Sequence, residues 1–214
     1  MTRASITGWE LMTTTKPNPA MRSQANDGLD DERVVVVDAE DRPVGSMGKL
    51  AVHRENIRHR AISVLIFDRI GRMLLQRRSG SKYHSGGLWS NACCSHPWPG
   101  ELPAAAAARR LREEMGIAAP LSFAGRFSYE AAVGDGLCEN EVVHVFVGCY
   151  DDEVAPDAEE VEAVRWQFPA AILWDLSARP DRYTAWFRLY SQEPWFSGAP
   201  GPARADLPAM EQSP

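Results

Sequence analysis

The sequence predicts an α+β fold or a mixed α/β/α sandwich, and three observations support this class. Several short runs rich in β-branched residues are separated by turn residues, which is typical of strands. An alanine-rich segment in mid-chain repeats apolar residues at helical spacing. A second helical segment follows near the C-terminal end. This order of elements predicts a sheet with helices packed against it.

The first half of the domain is predicted to consist of strands joined by turns. Four consecutive valines form the first strand, and two further apolar runs on either side of a Gly-containing turn form a hairpin. The predicted elements are a strand at 34–37, a turn at 39–44, a strand at 61–67, a turn at 68–72, a strand at 73–76 and a loop at 86–91.

The second half combines one well-marked helix with further strands. Pro103 suits the first turn of this helix, which is predicted to run to Met115 and to end at Gly116. Its apolar residues repeat on one face. The remaining predicted elements are strands at 125–131, 141–150 and 164–168 and a helix at 182–192.

Composition limits the classes of function that this chain can have. Its 214 residues include 23 basic and 29 acidic side chains, for a net charge of −6, which argues against nucleic acid or an anionic membrane as a partner. No apolar run approaches the roughly 20 residues that span a bilayer. The first 30 residues lack the apolar stretch of a signal peptide. We therefore expect a cytoplasmic protein, and nothing indicates an obligate protein partner.

A single domain is expected between two tails. Residues 1–30 and 197–214 have no periodic apolar pattern and are predicted to be flexible, which leaves 31–196 as the domain. The four cysteines contain no CxxC pair, so neither a zinc ribbon nor a redox dithiol is indicated.

One motif spans the loop before the central helix and the helix itself. It resembles the Nudix box, G-x5-E-x7-R-E-U-x-E-E-x-G-U with U aliphatic, but Ser95 replaces the first glycine and Arg110 replaces the first helical glutamate. Carboxylates gathered in this way can hold cations that bridge a diphosphate. The alternative is a set of ordinary surface ion pairs between Arg110 and the glutamates one turn later. The motif reads Ser95-x5-Glu101-x7-Arg109-Arg110-Leu111-Arg112-Glu113-Glu114-Met115-Gly116-Ile117.

Imidazoles and carboxylates elsewhere in the chain form a candidate metal-binding set. Nitrogen and oxygen donors of this kind suit Mn²⁺, Mg²⁺, Zn²⁺ or Fe²⁺ in five- or six-fold coordination. His144 has the opposite strand parity to the two glutamates, so it is assigned to the other face of its strand and to a structural role. The candidate ligands are His53, His59, His96, Glu139 and Glu141.

Two further features suggest a reactive site. Cys94 and His96 are two residues apart in an extended segment, so the thiol and the imidazole can face one cavity. Basic side chains beside the Gly-rich loop suit diphosphate oxygens. These are Arg77, Arg78 and Lys82.

Together these residues resemble the type 1 isopentenyl-diphosphate delta-isomerases, over about 34–186. The resemblance lies in the run Leu88-Trp89-Ser90-Asn91-Ala92-Cys93-Cys94-Ser95-His96-Pro97 and the triplet Glu139-Asn140-Glu141, neither of which ordinary Nudix hydrolases carry. Arg110, which departs from the hydrolase box, agrees with this family. The resemblance implies a Nudix-like α/β/α sandwich with a mixed sheet. It also implies exchange of isopentenyl and dimethylallyl diphosphate by proton addition and removal through a tertiary carbocation.

The resemblance also implies roles for individual residues. Cys94 would be the catalytic thiol, and Glu141 with Tyr129 would form the second acid/base centre. A divalent metal, Mn²⁺ or Mg²⁺ with Zn²⁺ as an alternative, would bind the five His and Glu ligands. A Mg²⁺ arriving with the diphosphate would bind Glu114 and the Cys94 carbonyl. The implied substrate contacts are Lys49, Arg77 and Lys82 at the diphosphate and Trp186 over the hydrocarbon.

Two alternative functions share part of this pattern. A Nudix pyrophosphohydrolase would need a carboxylate cluster to activate water, and Arg110 places a positive charge where a ligand is expected. A non-catalytic binding module would have no reason to combine Cys94 with Glu141. In either enzyme the partner is a small-molecule diphosphate.

Overall fold

The computed structural model of the chain describes residues 32–196. The predicted tails at 1–30 and 197–214 lie outside the described residues, so their flexibility stays a prediction. No helix within 32–196 is both long and apolar enough to cross a membrane.

Residues 32–196 contain nine strands and four α-helices. The strands are β1 (Arg33–Val37), β2 (Pro43–Gly48), β3 (His59–Phe67), β4 (Met73–Arg78), β5 (Trp89–Asn91), β6 (Cys93–Ser95), β7 (Leu121–Gly134), β8 (Leu137–Cys149) and β9 (Val161–Gln167). The helices are α1 (Lys49–Arg54), α2 (Pro103–Met115), α3 (Pro169–Ala178) and α4 (Ala185–Tyr190).

Strand β3 organises the mixed sheet. It pairs in parallel with β8 along its whole length and antiparallel with β6, while β7 and β8 form a long antiparallel hairpin. Strand β4 continues the sheet by pairing antiparallel with β5 and β9. Strands β6 and β8 therefore both lie next to β3, and the side chains of these paired strands are held at fixed positions relative to one another.

Helices cover both faces of this sheet, which confirms the α/β/α sandwich. On β3, Ile62 and Val64 point to one face and pack with Leu111 of α2, whereas Leu65 packs on the other face with Phe187 of α4. Both faces of β3 are apolar, as expected for a strand buried on two sides.

The central helix begins and ends as predicted. Pro103 occupies its first turn, and Gly116 follows the last turn with φ of 68°. A β-carbon at Gly116 would lie 2.7 Å from the carbonyl oxygen of Ala155, so this position requires glycine for space as well as for conformation.

Some predicted elements are wrong. The hairpin of 61–67 with 73–76 is reduced to one pair, Phe67 with Met73, because β6 and β8 occupy the edges of β3. The predicted final helix is shorter, since a 3₁₀ turn at Pro180–Arg182 precedes α4. Elements β2, α1, β5, β6 and α3 were not predicted. Most are too short to show periodicity, and tertiary contacts stabilise them.

Candidate active site

A cavity of about 1000 Å³ opens at the centre of the sheet. Exposed and half-buried charged residues such as Lys82 and Glu113 line its outer end. The half-buried Cys94 and buried residues such as His96 and Trp186 line its inner end. The cavity thus combines a charged outer end with a polar and aromatic inner end.

Two buried imidazoles behind the inner wall are held in one tautomer by backbone carbonyls. His53 of α1 directs Nδ1 to the carbonyl of Lys49 at 2.5 Å, and His59 of β3 directs Nδ1 to that of Ile57 at 2.8 Å. A carbonyl only accepts, so each Nδ1 carries the proton and each Nε2 keeps a free lone pair. Both Nε2 atoms are buried and have no hydrogen-bond partner within the described part of the chain.

Strand register brings a carboxylate to these imidazoles. His59 on β3 lies opposite Glu141 on β8, and Glu141 lies opposite Tyr129 on β7. The Glu141 Oε1 atom is 3.1 Å from Nε2 of His96 and 3.5 Å from Nε2 of His59. Burial raises the pKa of Glu141, but the His59 and His96 imidazoles beside it outweigh this effect and hold the pKa well below its usual range.

The donor set fits a divalent metal ion. One ligand atom from each of His53, His59, His96 and Glu141 lies within 4.8 Å of the others. Donors about 2.1 Å from one octahedral ion are separated by about 3.0 to 4.2 Å, which agrees with this spacing. Burial also lowers the pKa of His53 to about 3, so this imidazole is neutral and able to ligate. The chain therefore contains a His/Glu group whose donor atoms and spacing suit a divalent ion.

The Tyr129 hydroxyl bridges two buried glutamates. It lies 2.5 Å from Oε2 of Glu139 and 2.8 Å from Oε2 of Glu141. Because a phenol carries one proton, the arrangement needs a second proton on one carboxyl group. Burial and the neighbouring Glu141 charge raise the pKa of Glu139, so Glu139 takes up a proton more readily than Glu141. The cluster can therefore store and transfer protons.

The two adjacent cysteines face opposite sides of the sheet. Cys93 is fully buried in the core beneath α2, whereas Cys94 lines the cavity, because neighbouring residues alternate along β6. Burial raises the pKa of the Cys94 thiol to about 12. The Cys94 thiol, and not the Cys93 thiol, can therefore meet a ligand.

Cationic side chains surround the outer end of the cavity, and most are paired with carboxylates. Lys49 lies 3.0 Å from Glu32, and Lys82 pairs with Glu160. Arg110 lies 2.7 Å from Glu114, which is buried. The lining contains more carboxylates than cations, so an anion would bind more favourably together with divalent cations.

Adjacent arginines on β4 point in opposite directions. Arg77, which sequence reasoning placed at the diphosphate, does not line the cavity and lies 2.8 Å from Glu162 on β9. Arg78 lines the cavity instead, with its guanidinium carbon 5.2 Å from the centre of the Trp186 ring. Arg78 has no carboxylate within ion-pair distance among residues 32–196, which leaves its charge available to a ligand.

The structure brings most of the predicted site residues to one cavity. Lining residues predicted from the sequence are Lys49, Lys82, Cys94, His96, Glu114, Tyr129, Glu139, Glu141 and Trp186. His53 and His59 stand directly behind them. His144 lies elsewhere, 2.7 Å from Asp41, which confirms its placement on the other face of the strand.

Sequence reasoning missed one histidine at the site. His84 is buried, lines the cavity and places Nε2 3.5 Å from Oε1 of Glu139. With His53 and Glu139 it forms a second possible donor set. Only the Nε2 atom of His53 is free to bind a metal, because Nδ1 bonds the Lys49 carbonyl. The two donor sets therefore share this nitrogen and surround the same site. His84 lies in the loop between β4 and β5, so no regular spacing in the sequence links it to Glu139.

Comparison with known proteins identifies the class of protein. The NUDIX domain model matches residues 57–187. Among solved structures, DR0079 from Deinococcus radiodurans aligns with a TM-score of 0.64 at 18% identity, covering 75% of this chain and 97% of that one. A MutT protein from Methanosarcina mazei aligns with a TM-score of 0.53 at 24% identity, covering 63% of this chain and 90% of that one. The chain belongs to the Nudix family and has its fold.

Sequence relatives identify the branch of that family. The chain is 49% identical to isopentenyl-diphosphate Delta-isomerase 1 of Aromatoleum aromaticum, over 73% of this chain and 88% of the relative. It is 47% identical to isopentenyl-diphosphate Delta-isomerase of Burkholderia multivorans, over 73% of this chain and 89% of the relative. It belongs to the isopentenyl-diphosphate Delta-isomerases.

Proposed function

We propose that this chain interconverts isopentenyl diphosphate and dimethylallyl diphosphate, as an enzyme of isoprenoid biosynthesis. One observation carries the proposal: a thiol, Cys94, and a proton-holding pair, Glu141 with Tyr129, line the same cavity as the basic side chains Arg78 and Lys82. An isomerisation of this kind needs one group to add a proton and another to remove one.

The reaction moves a double bond without breaking a bond to phosphorus. One proton is added at the terminal alkene carbon, which leaves a tertiary carbocation, and another is removed from the carbon two positions away. Glu141 and Tyr129 form one proton-transfer centre, and Cys94 forms the other. Each group is a donor when protonated and an acceptor when not, so the pair supports both directions.

The buried end of the cavity also suits a cationic intermediate. Trp186 is almost fully buried and lines the cavity with its indole ring. A desolvated cation beside an aromatic face is stabilised by about 2 kcal/mol. Trp186 and its aromatic neighbours also exclude the water that would trap a carbocation.

We further propose which residues hold metal ions. His53, His59, His96, Glu139 and Glu141 hold one divalent ion, Mn²⁺ or Mg²⁺ with Zn²⁺ as the alternative. Glu114 and the Cys94 carbonyl hold a Mg²⁺ that arrives with the diphosphate. Bound ions supply positive charge that lowers the pKa of adjacent acids and neutralises the diphosphate. Residues Lys49, Lys82 and Arg78 contact the diphosphate oxygens.

A product assay tests the proposed function. The purified protein is incubated with isopentenyl diphosphate and Mg²⁺, and the products are followed by NMR and by a phosphate assay. We expect dimethylallyl diphosphate to form without release of phosphate. Release of phosphate would instead indicate a Nudix hydrolase. Binding without any turnover would indicate a binding module, and either result would overturn the proposal.

The two arginines of β4 provide a matched test of diphosphate binding. We expect Arg78→Ala to raise KM for isopentenyl diphosphate about 10- to 100-fold, because a charge-assisted bond to an anion contributes about 1.5 to 3 kcal/mol. Arg77→Ala should change KM by less than about twofold, since an exposed pair such as Arg77 with Glu162 contributes little. Steady-state kinetics would contradict this assignment if Arg77→Ala gave the larger effect.

The setting in which the enzyme works is also part of the proposal. We place it in the cytoplasm, acting on a small-molecule diphosphate without nucleic acid, membrane or an obligate protein partner. The acidic composition supports the absence of nucleic acid and of an anionic membrane from this list.

A further inference from the structure

A chain of buried polar side chains lies behind the cavity wall. It consists of Ser90 and Asn91 of β5 together with Ser63 of β3, each at most 1% exposed. None of the three lines the cavity, so none can touch a ligand there. Buried polar groups cost stability unless they are fully hydrogen-bonded, so their partners indicate what they position.

The orientation of the Asn91 amide is fixed by the backbone. Its Nδ2 atom donates to the carbonyls of Val64 and Cys93, both at 2.9 Å. Two carbonyls can only accept, so the amide nitrogen must face them and Oδ1 must face the opposite way. There Oδ1 accepts from the Cys94 thiol, with a sulfur–oxygen distance of 3.2 Å.

A second hydroxyl holds the same sulfur atom. Ser63 Oγ lies 3.0 Å from Asn91 Nδ2, as one of three acceptors around the two amide hydrogens, and 3.6 Å from Cys94 Sγ. The single thiol proton points at Asn91 Oδ1, so Ser63 is the donor in its contact with the sulfur. The thiol is held through its proton by Asn91 and through its lone pair by Ser63.

Ser90 links this thiol site to the aromatic wall of the cavity. The Trp186 indole N–H donates to Ser90 Oγ at 2.9 Å, and Ser90 donates to Asn91 Oδ1 at 3.1 Å. Indole nitrogen only donates and amide oxygen only accepts, so the direction of each hydrogen bond in this chain is fixed.

We propose that Ser90 and Asn91 are positioning residues, which hold the Cys94 thiol and the Trp186 ring in one fixed relative placement. The inference rests on the proposed isomerase function and on Cys94 as its thiol. Proton transfer is sensitive to sub-ångström placement of the reacting groups. The Ser90 hydroxyl links the Cys94 thiol to the Trp186 ring without lining the cavity, so it affects the chemical step more than substrate binding.

Variants of Ser90 test this inference. We expect Ser90→Ala to lower kcat about 10-fold or more and to leave KM for isopentenyl diphosphate within about twofold, because the diphosphate contacts lie elsewhere. Ser90→Thr keeps the hydroxyl and should return kcat to within about threefold of the parent. Ser177→Ala is the control, since this exposed serine bonds only to the carbonyl of Trp174. All rates are compared well below the melting temperature of each variant.

The outcomes separate this inference from the proposed function. A parent enzyme without isomerase activity would overturn the proposed function itself. An active parent with an unchanged kcat in Ser90→Ala, or with equal losses in the Ala and Thr variants, would overturn only the positioning role. If Ser90→Ala does not fold, Ser90→Cys takes its place, because cysteine has a similar volume but forms only weak hydrogen bonds. An unchanged kcat in Ser90→Cys would also overturn the positioning role.

Discussion

Replacing Cys94 with serine is expected to lower kcat about 1000-fold while leaving the fold and diphosphate binding intact. Cys94 is the only cysteine of the described chain that lines the cavity, and its sulfur is held by two side chains. A serine hydroxyl fits the same space but exchanges its proton far less readily than a thiol. Positioned acid or base groups contribute about 10²- to 10⁴-fold to rate.

Two other cysteines, Cys93 and Cys149, serve as matched controls for this result. Cys93→Ala should keep kcat within about threefold, although the variant should melt at a lower temperature because Cys93 is packed beneath α2. Cys149→Ser, at an exposed strand end, should change neither property. Steady-state kinetics with thermal unfolding measures both. A near-normal Cys94→Ser enzyme together with an inactive Cys93→Ala enzyme would contradict the assignment.

Strand parity explains how much of the site the sequence could predict. Glu139, Glu141 and His144 alternate along β8, and the predicted division into two inward glutamates and one outward histidine agrees with the structure. Parity alone would also have separated Arg77 from Arg78, since neighbours on a strand cannot both face one cavity. The β-strand through Arg78 was predicted to end at residue 76, and this boundary error concealed the distinction.

Long-range register explains what the sequence could not predict. His59, Glu141 and Tyr129 meet because three strands are in register, and one of these pairings is parallel between strands more than 70 residues apart. No local pattern specifies such a pairing. His84 and Glu32 reach the cavity from irregular segments, and the three-residue strands β5 and β6 have no periodicity to detect.

The second large effect is expected for Glu141→Gln, which should lose both the bound metal and at least about 1000-fold in kcat. Glutamine keeps the shape of the side chain but removes the negative charge. In the parent, one Glu141 oxygen contacts Nε2 of His59 and His96, and the other contacts Tyr129. Loss of a charged ligand weakens binding of a hard divalent ion, and loss of the carboxylate removes one proton-transfer group.

Metal content and activity together distinguish these two contributions. The parent should contain about one tightly held divalent ion per chain by elemental analysis, and a chelator should inactivate it until Mn²⁺ or Mg²⁺ is added back. Glu141→Gln should stay inactive even at saturating Mn²⁺, because the proton-transfer group is still missing. Glu130→Gln, on the exposed side of β7 where Glu130 bonds Asn56, should retain metal and activity. Full recovery of Glu141→Gln by added metal would limit Glu141 to a ligand role and would leave Tyr129 with Glu139 as the acid/base pair.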